Sequence, residues 1–192
     1  VLDKLIKKSK HKFEFIDLGG GMGISYQEKN KKLNYHKYNN AIIKFLNKHK
    51  SKIIFEPGRS IIGDTGILVS KVIYIKESQR KKFIILDTAM NDFMRPALYG
   101  AKHRIIPLNK KKQISKKTYE FVGPICETTD KFLTINKFQK LKEKDIVIIC
   151  DVGAYGSSLS SNYNLRAKPA EILIKGSKII VIKKRQKLKD LI

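Results

Sequence analysis

The sequence predicts an α/β segment followed by an all-β domain, and three observations carry that expectation. Residues 13–18 (FEFIDL) form a short apolar run that stops at GGGMG, as a buried strand does on meeting a tight loop. A helical period over 34–49 leads into KIIFEPGR, a second short strand ended by a turn. After Arg59 that period gives way to brief β-branched runs. The expected division is 1–59 for the α/β part and 60–192 for a mostly antiparallel β domain.

Taken in order, the first strand ends at Leu18 and the glycines Gly19, Gly20, Gly21 and Gly23 follow. In the next segment Tyr35, Tyr38, Ile42, Phe45 and Leu46 recur at steps of three and four, the spacing of one helical face. A strand over 53–55 is then stopped by Pro57 and Gly58. Strand, loop, helix and strand in that order imply two parallel strands with the helix packed on them. The glycine loop and the EPGR turn would then share one rim, just past the C-terminal ends of their strands, where barrels and open α/β sheets hold ligands. Downstream, strands are expected in ILVSKVIYI from Ile67, KFIIL from Lys82, DIVIIC from Asp145, AEILI from Ala170 and KIIVI from Lys178. The lysine-rich 109–117 reads as a solvated loop or hairpin, and KKRQKLKDLI as a short terminal helix or tail. No internal repeat is visible.

Bulk properties exclude several classes. A chain of 192 residues, 42% hydrophobic and 30% charged, is long enough to bury a core and reads as globular. No apolar run approaches the roughly 20 residues needed to span a bilayer. The first twelve residues have positive charge but no apolar signal core, and the missing initiator Met hints at a fragment. The net charge of +24 raises the question of nucleic acid, yet only Arg59, Arg80, Arg95, Arg104, Arg166 and Arg185 are arginines. The excess is lysine spread over surface-like segments, not the arginine-rich, aromatic-interleaved surface that reads bases and phosphates. Two cysteines without a CxxC suit a reducing cytoplasm, and the four histidines lack metal-ligand spacing, so no metal is expected.

Five stretches could carry chemistry. Successive glycines at Gly20, Gly21 and Gly23 let backbone amides surround an anion, although a plain strand-to-helix turn uses the same residues. They match neither the dinucleotide fingerprint nor the Walker loop. In EPGR, Glu56 and Arg59 suit a ligand with a basic nitrogen and an anionic end, or simply pair with each other. DTAMNDFMRPALYGAKH places Arg95 before Pro96 with Tyr99 four residues on; a carboxylate grip and an ordinary surface arginine are both open. DVGAYGSSLSSNYN flanks Tyr155 with glycines. VGPICETTD sets Cys126 beside Glu127 where the backbone must bend.

In this order, IDLGGGMGISY, FEPGRSIIGDTG, DTAMNDFMRPALYGAKH, VGPICETTD and DVGAYGSSLSSNYNLRAKPAEIL closely resemble the motifs of the diaminopimelate decarboxylase family, within the alanine-racemase-like (fold-type III) pyridoxal-phosphate enzymes. The resemblance runs from about residue 13 to the end. It implies the last β/α units of a TIM-like (β/α)8 barrel followed by a β-sandwich or barrel domain. The cofactor it implies is pyridoxal 5'-phosphate, its phosphate held by Gly20, Gly21, Gly23, Gly58 and the Arg59 backbone, its pyridine nitrogen paired with Glu56. Arg59, Arg95 and Tyr99 would hold the substrate's distal carboxylate, Glu127 its distal ammonium, and Tyr155 would reach both cofactor and substrate.

By the same resemblance Cys126 is the proton donor to the carbon that loses carbon dioxide. It would reach across from a second subunit, so a homodimer is implied. The reaction would convert meso-2,6-diaminopimelate to L-lysine and carbon dioxide, the last step of lysine biosynthesis. The family's cofactor-bearing lysine lies in a motif resembling Tyr-Ala-x-Lys-Ala-Asn, which this sequence lacks, so the chain alone is expected to be inactive. Decarboxylases of ornithine, arginine or carboxynorspermidine are the nearest rivals, and a basic nucleic-acid-binding module is the alternative from another class.

Overall fold

In the computed structural model, which describes residues 1–26 and 33–192, the chain divides into two compact units, Val1–Gly63 and Asp64–Ile192. The first opens with α1 (Leu2–Ser9), in a positively charged stretch to which the sequence alone assigns no element. Strand β1 (Phe15–Asp17) follows, then α2 (Tyr35–His49), β2 (Lys52–Ile54) and the single turn α3 (Arg59–Ile62). Asn34 caps α2, its side-chain oxygen accepting from the Lys37 amide at 3.0 Å. Lys50, in the left-handed region at φ 50°, ends the helix by donating to Leu46 O. Asp3 ties α1 to the end of α2, accepting from Lys48 Nζ at 2.7 Å and lying 2.8 Å from His49 Nε2.

Strands β1 and β2 pair in parallel, Phe15 opposite Lys52 and Asp17 opposite Ile54, and Tyr38 of α2 reaches the ring of Phe55 at 6.1 Å. The expectation of buried strands is corrected here. Only Ile16 among the described apolar residues of this unit is buried; its neighbours Phe15 and Ile54 are exposed. The physical reason is cover: parallel strands are normally enclosed on both faces, and one helix beside two strands leaves the rest of the pair uncovered.

The second unit is built on a six-stranded mixed sheet. Its strands are β3 (Leu68–Glu77), β4 (Lys81–Leu86), β5 (Ile105–Pro107), β6 (Thr118–Val122), β7 (Lys131–Ile135) and β8 (Ile146–Ile149), with the short helix α4 (Arg95–Tyr99) after β4. Their order is β5-β8-β3-β4-β6-β7. All neighbours are antiparallel except β4 and β6, which run parallel from Lys81 opposite Thr118 to Ile85 opposite Val122. Val72, Ile84, Leu86, Tyr119, Phe121, Val147 and Ile149 pack as its core, with Phe93 and Ile105 against them. A separate hairpin, β9 (Glu171–Lys175) and β10 (Lys178–Lys183), turns at Gly176. The sequence reading missed β5, β6 and β7.

Strand direction positions the candidate residues. Because β8 is antiparallel to β3 and β3 to β4, strands β8, β4 and β6 all run the same way. Their C-terminal ends therefore share one edge of the sheet. The segments leaving that edge are 87–94 after β4, 123–130 after β6 and 150–156 after β8, and the first leads directly into α4. No described helix is long and apolar enough to cross a membrane.

Candidate functional site

In the first unit the glycine loop and the EPGR turn are neighbours. The parallel ladder continues past the strands: Leu18 N donates to Ile54 O at 3.0 Å and Glu56 N to Gly19 O at 2.9 Å. Asp17 steadies the start of the loop, accepting from the Gly19 amide at 2.7 Å. The glycines have different reasons to be glycine. A Cβ on Gly20 would lie 2.5 Å from Glu56 O, so close approach of the two loops demands its absence. Gly21 adopts φ +80°, a conformation L residues rarely take. Among the described residues Gly23 meets nothing within 4 Å, and it has no such φ, so they give it no reason to lack a side chain. Glu56 and Gly58 are exposed and Arg59 is half-buried.

In the second unit Arg95, Tyr99 and Tyr155 come together, contributed by α4 and the segment after β8. The alternative of an ordinary surface arginine is corrected: Arg95 is 5% exposed. Its guanidinium carbon lies 5.6 Å from the Tyr99 ring centre and 5.7 Å from that of Tyr155, within range of cation–π attraction to both. Tyr155 stands at φ 59°, and the next residue must be glycine because a Cβ on Gly156 would overlap Val152 O.

His103, absent from the sequence-based candidates, completes this group. It is buried, and its Nε2 lies 3.4 Å from Arg95 Nε while Nδ1 lies 3.0 Å from Cys150 O. An arginine N–H can only donate and a carbonyl can only accept, so the ring must be neutral with its proton on Nδ1. The Phe93 ring meets it edge-on at 4.6 Å. The signal in the sequence is MRPALYGAKH, where His103 follows Arg95 by eight residues, a separation that matches no metal-ligand spacing. Among the described residues no cluster of His, Cys, Asp and Glu suited to a metal exists.

Cys126 and Glu127 stand on the segment after β6, beside the one that leads to Arg95. Cys126 is exposed, whereas Cys150 is buried. Glu127 accepts from the Thr129 amide and from the Thr128 hydroxyl, both at 3.3 Å, and the Thr129 amide first of all lowers its carboxyl from the usual range. The preceding loop is fixed by Arg166, also missed from sequence: it donates from Nε to Asn91 Oδ1 at 3.0 Å and from Nη2 to Asp87 O at 2.6 Å. Asp92 caps that loop, accepting from the Ala89 amide at 2.9 Å, and burial is the main influence raising its carboxyl.

A glycine loop paired with an EPGR turn in one unit, and a mixed six-stranded sheet of this order in the other, define a class. The model of the pyridoxal-dependent decarboxylase C-terminal sheet domain matches residues 5–153, and the chain belongs to that family. It is 41% identical over 192 residues to the diaminopimelate decarboxylase of Haemophilus influenzae, covering 100% of this chain and 46% of that protein. The crystal structure of diaminopimelate decarboxylase from Helicobacter pylori complexed with L-lysine superposes with a TM-score of 0.86 at 40% identity, over 99% of this chain and 46% of that one. The enzyme from M. jannaschii in co-complex with L-lysine gives 0.89 at 35% identity, over 100% and 45%. The chain thus spans about half the length of the curated relatives it matches.

Proposed function

We propose that this chain is the C-terminal portion of a diaminopimelate decarboxylase, contributing to conversion of meso-2,6-diaminopimelate into L-lysine and carbon dioxide in the cytoplasm. The observation that carries the reading is the contact of Gly19 and Gly20 with Glu56, which puts amide donors and a carboxylate at one place in the first unit. That unit is read as the last β/α elements of a (β/α)8 barrel. The residues fit pyridoxal 5'-phosphate by their donor chemistry: Gly21 and Gly23 leave backbone amides unobstructed by any side chain, and Glu56 is an exposed anion suited to a protonated ring nitrogen. When bound, the cofactor supplies an electron sink for the bonding pair released as carbon dioxide departs.

The chain's own residues would do the rest. Gly20, Gly21, Gly23, Gly58 and the Arg59 backbone would hold the phosphate, and Glu56 would keep the ring nitrogen protonated. Arg95, whose planar guanidinium lies within cation–π range of Tyr99 and Tyr155, would bind the distal carboxylate with Tyr99, a role the resemblance also gives Arg59, while Glu127 would accept the distal ammonium. Both groups are needed by a substrate with a second amino-acid centre, which favours diaminopimelate over ornithine. Tyr155 would contact cofactor and substrate. The Cys126 thiol would deliver its proton to the carbon left by carbon dioxide, serving the second subunit of a homodimer.

The test uses the 192-residue chain and 4'-deoxypyridoxine 5'-phosphate, which keeps the ring nitrogen and phosphate but has no aldehyde to react with surface lysines. Saturable binding is expected, with NMR shifts at Gly20, Gly21, Gly23, Glu56 and Gly58. Absence of binding, or shifts confined to lysine-rich segments, would overturn the reading. With pyridoxal phosphate and meso-diaminopimelate the same chain is expected to release no lysine, since it lacks the cofactor-bearing lysine motif; lysine release would refute that part.

A further inference from the structure

The loop that carries Cys126 and Glu127 closes on the residue at its own end. Asp130 is 3% exposed. Its Oδ2 accepts from the Ile125 amide at 2.9 Å, and its Oδ1 accepts from the Met90 amide at 2.7 Å. The backbone adds two bonds, Gly123 N to Asp130 O at 2.9 Å and Asp130 N to Glu127 O at 3.1 Å. A Cβ on Gly123 would overlap both carboxylate oxygens, so the carboxylate fills the volume a side chain there would need. Ile125 immediately precedes Cys126, and Met90 lies in the segment leading to Arg95. A second contact spans the same two segments, Thr129 Oγ1 to Met90 Sδ at 3.6 Å.

We infer that Asp130 is a positioning residue that locks the Cys126–Glu127 loop to the segment leading into Arg95, giving the proton donor and ammonium acceptor a fixed place relative to the carboxylate clamp. The inference rests on the roles proposed above for Cys126, Glu127 and Arg95. Only a carboxylate answers both amides, because it accepts on two oxygens and donates on neither. An asparagine would turn an NH2 group toward one of them. A glutamate would push its extra methylene against Gly123. Arg166 and Asp92 are the charged groups that face Asp130: the guanidinium favours its ionised form and the second carboxylate opposes it, while burial is the largest influence and raises the carboxyl.

The experiment compares the full chain with Asp130→Asn and Gly123→Ala, with the exposed Glu143→Gln as control. Amide hydrogen exchange at Met90 and Ile125 and the alkylation rate of Cys126 across pH are read beside the urea midpoint. Asp130→Asn is expected to speed exchange by about tenfold or more at the amide its NH2 group faces, and Gly123→Ala at both, the scale of one lost charge-assisted hydrogen bond, and each is expected to shift the Cys126 rate or its pH profile. Glu143→Gln should change neither. A purely structural role would lower the urea midpoint yet leave the Cys126 profile in place; that outcome, or exchange unchanged at both amides in either variant, overturns the proposal. Should Asp130→Asn fail to fold, the unmodified chain still decides: the Met90 and Ile125 amide protons must titrate with one shared midpoint, and two different midpoints overturn it. None of these readouts needs cofactor, so failure of deoxypyridoxine phosphate binding would remove the proposed function without altering this result.

Discussion

Replacing Gly20, Gly21 and Gly23 by alanine, one at a time, separates what the fold requires from what a ligand would require. At Gly20 the new Cβ starts 2.5 Å from Glu56 O, whereas carbon–oxygen contacts settle near 3.3–3.6 Å, so the loops must part by about 0.8 Å or more. That movement stretches the 2.9 Å bond from Glu56 N to Gly19 O. Overpacking of this kind costs about 1–3 kcal/mol and a strained backbone hydrogen bond about 1 more, for a total of about 2–4 kcal/mol. At Gly21 the cost is conformational, about 1–2 kcal/mol for a Cβ in the left-handed region. At Gly23 alanine meets nothing among the described residues and should be neutral or slightly stabilising, by up to about 1 kcal/mol, through the unfolded chain. Urea unfolding, with amide exchange at Glu56 as the local probe, measures the series. The decisive variant is Gly23→Ala: full stability with deoxypyridoxine phosphate affinity lowered by about tenfold or more, the loss expected when an amide no longer reaches a charged oxygen. The reasoning is refuted if Gly23→Ala binds the probe as tightly as the unmodified chain, or if Gly20→Ala leaves stability untouched.

Glu77 is held down at about 2 by hydrogen bonds from Lys117 and then Lys82. A depressed carboxyl adds stability that is complete above its unfolded value of 4.5 and fades as pH falls toward about 2. Carboxyl NMR should therefore place the Glu77 midpoint near 2, and Lys117→Ala should move it upward; an unmoved midpoint would deny the pairing. His103→Leu removes the buried acceptor beside Arg95 Nε and the donor to Cys150 O, and should cost about 1–3 kcal/mol per group left unsatisfied. His103→Gln, whose amide oxygen can accept from Arg95, should cost less by the same urea assay, and equal losses would contradict the assigned tautomer. Asp92 and Asp130 act opposite to Glu77: burial raises both, so their contribution to stability declines as pH rises from the unfolded toward the folded value.

The elements legible in the sequence are those whose pattern is local. Helix α2 announces itself by its period, and β3, β4 and β8 by short runs rich in β-branched residues. The strands that escaped notice owe their state to distant partners. In β6 a glutamate interrupts TYEFV, and Glu120 is tolerated in a buried strand because Lys81 and Lys131, from β4 and β7, reach it at 2.9 and 2.8 Å. Strand β5 is three residues long and ends in Pro107. Helix α1 carries three lysines near the chain start, and its anchor Asp3 is satisfied from the end of α2. The same limit applies to the candidate site. Glycines, EPGR and Cys126–Glu127 stand out in one dimension, whereas the setting of Arg95, His103 and Asp130 is completed by groups tens of residues away, Tyr155, Cys150 and Met90.

Strand parity explains why those groups converge. In a purely antiparallel sheet adjacent strands present opposite ends to a given edge, so the loops after β4 and β6 would emerge on opposite sides. The one parallel pairing in this sheet, β4 with β6, removes that alternation and sets the Cys126 loop beside the segment that leads to Arg95. A parallel neighbour requires a crossover of a dozen or more residues, and here residues 87–117 supply it, containing Arg95, Tyr99 and His103 within the connection itself. The crossover is thus both the cost of the parallel pair and the source of the clamp. A carboxylate at position 130, hydrogen-bonded to each side of that junction, turns adjacency set by topology into a fixed spacing between the two loops.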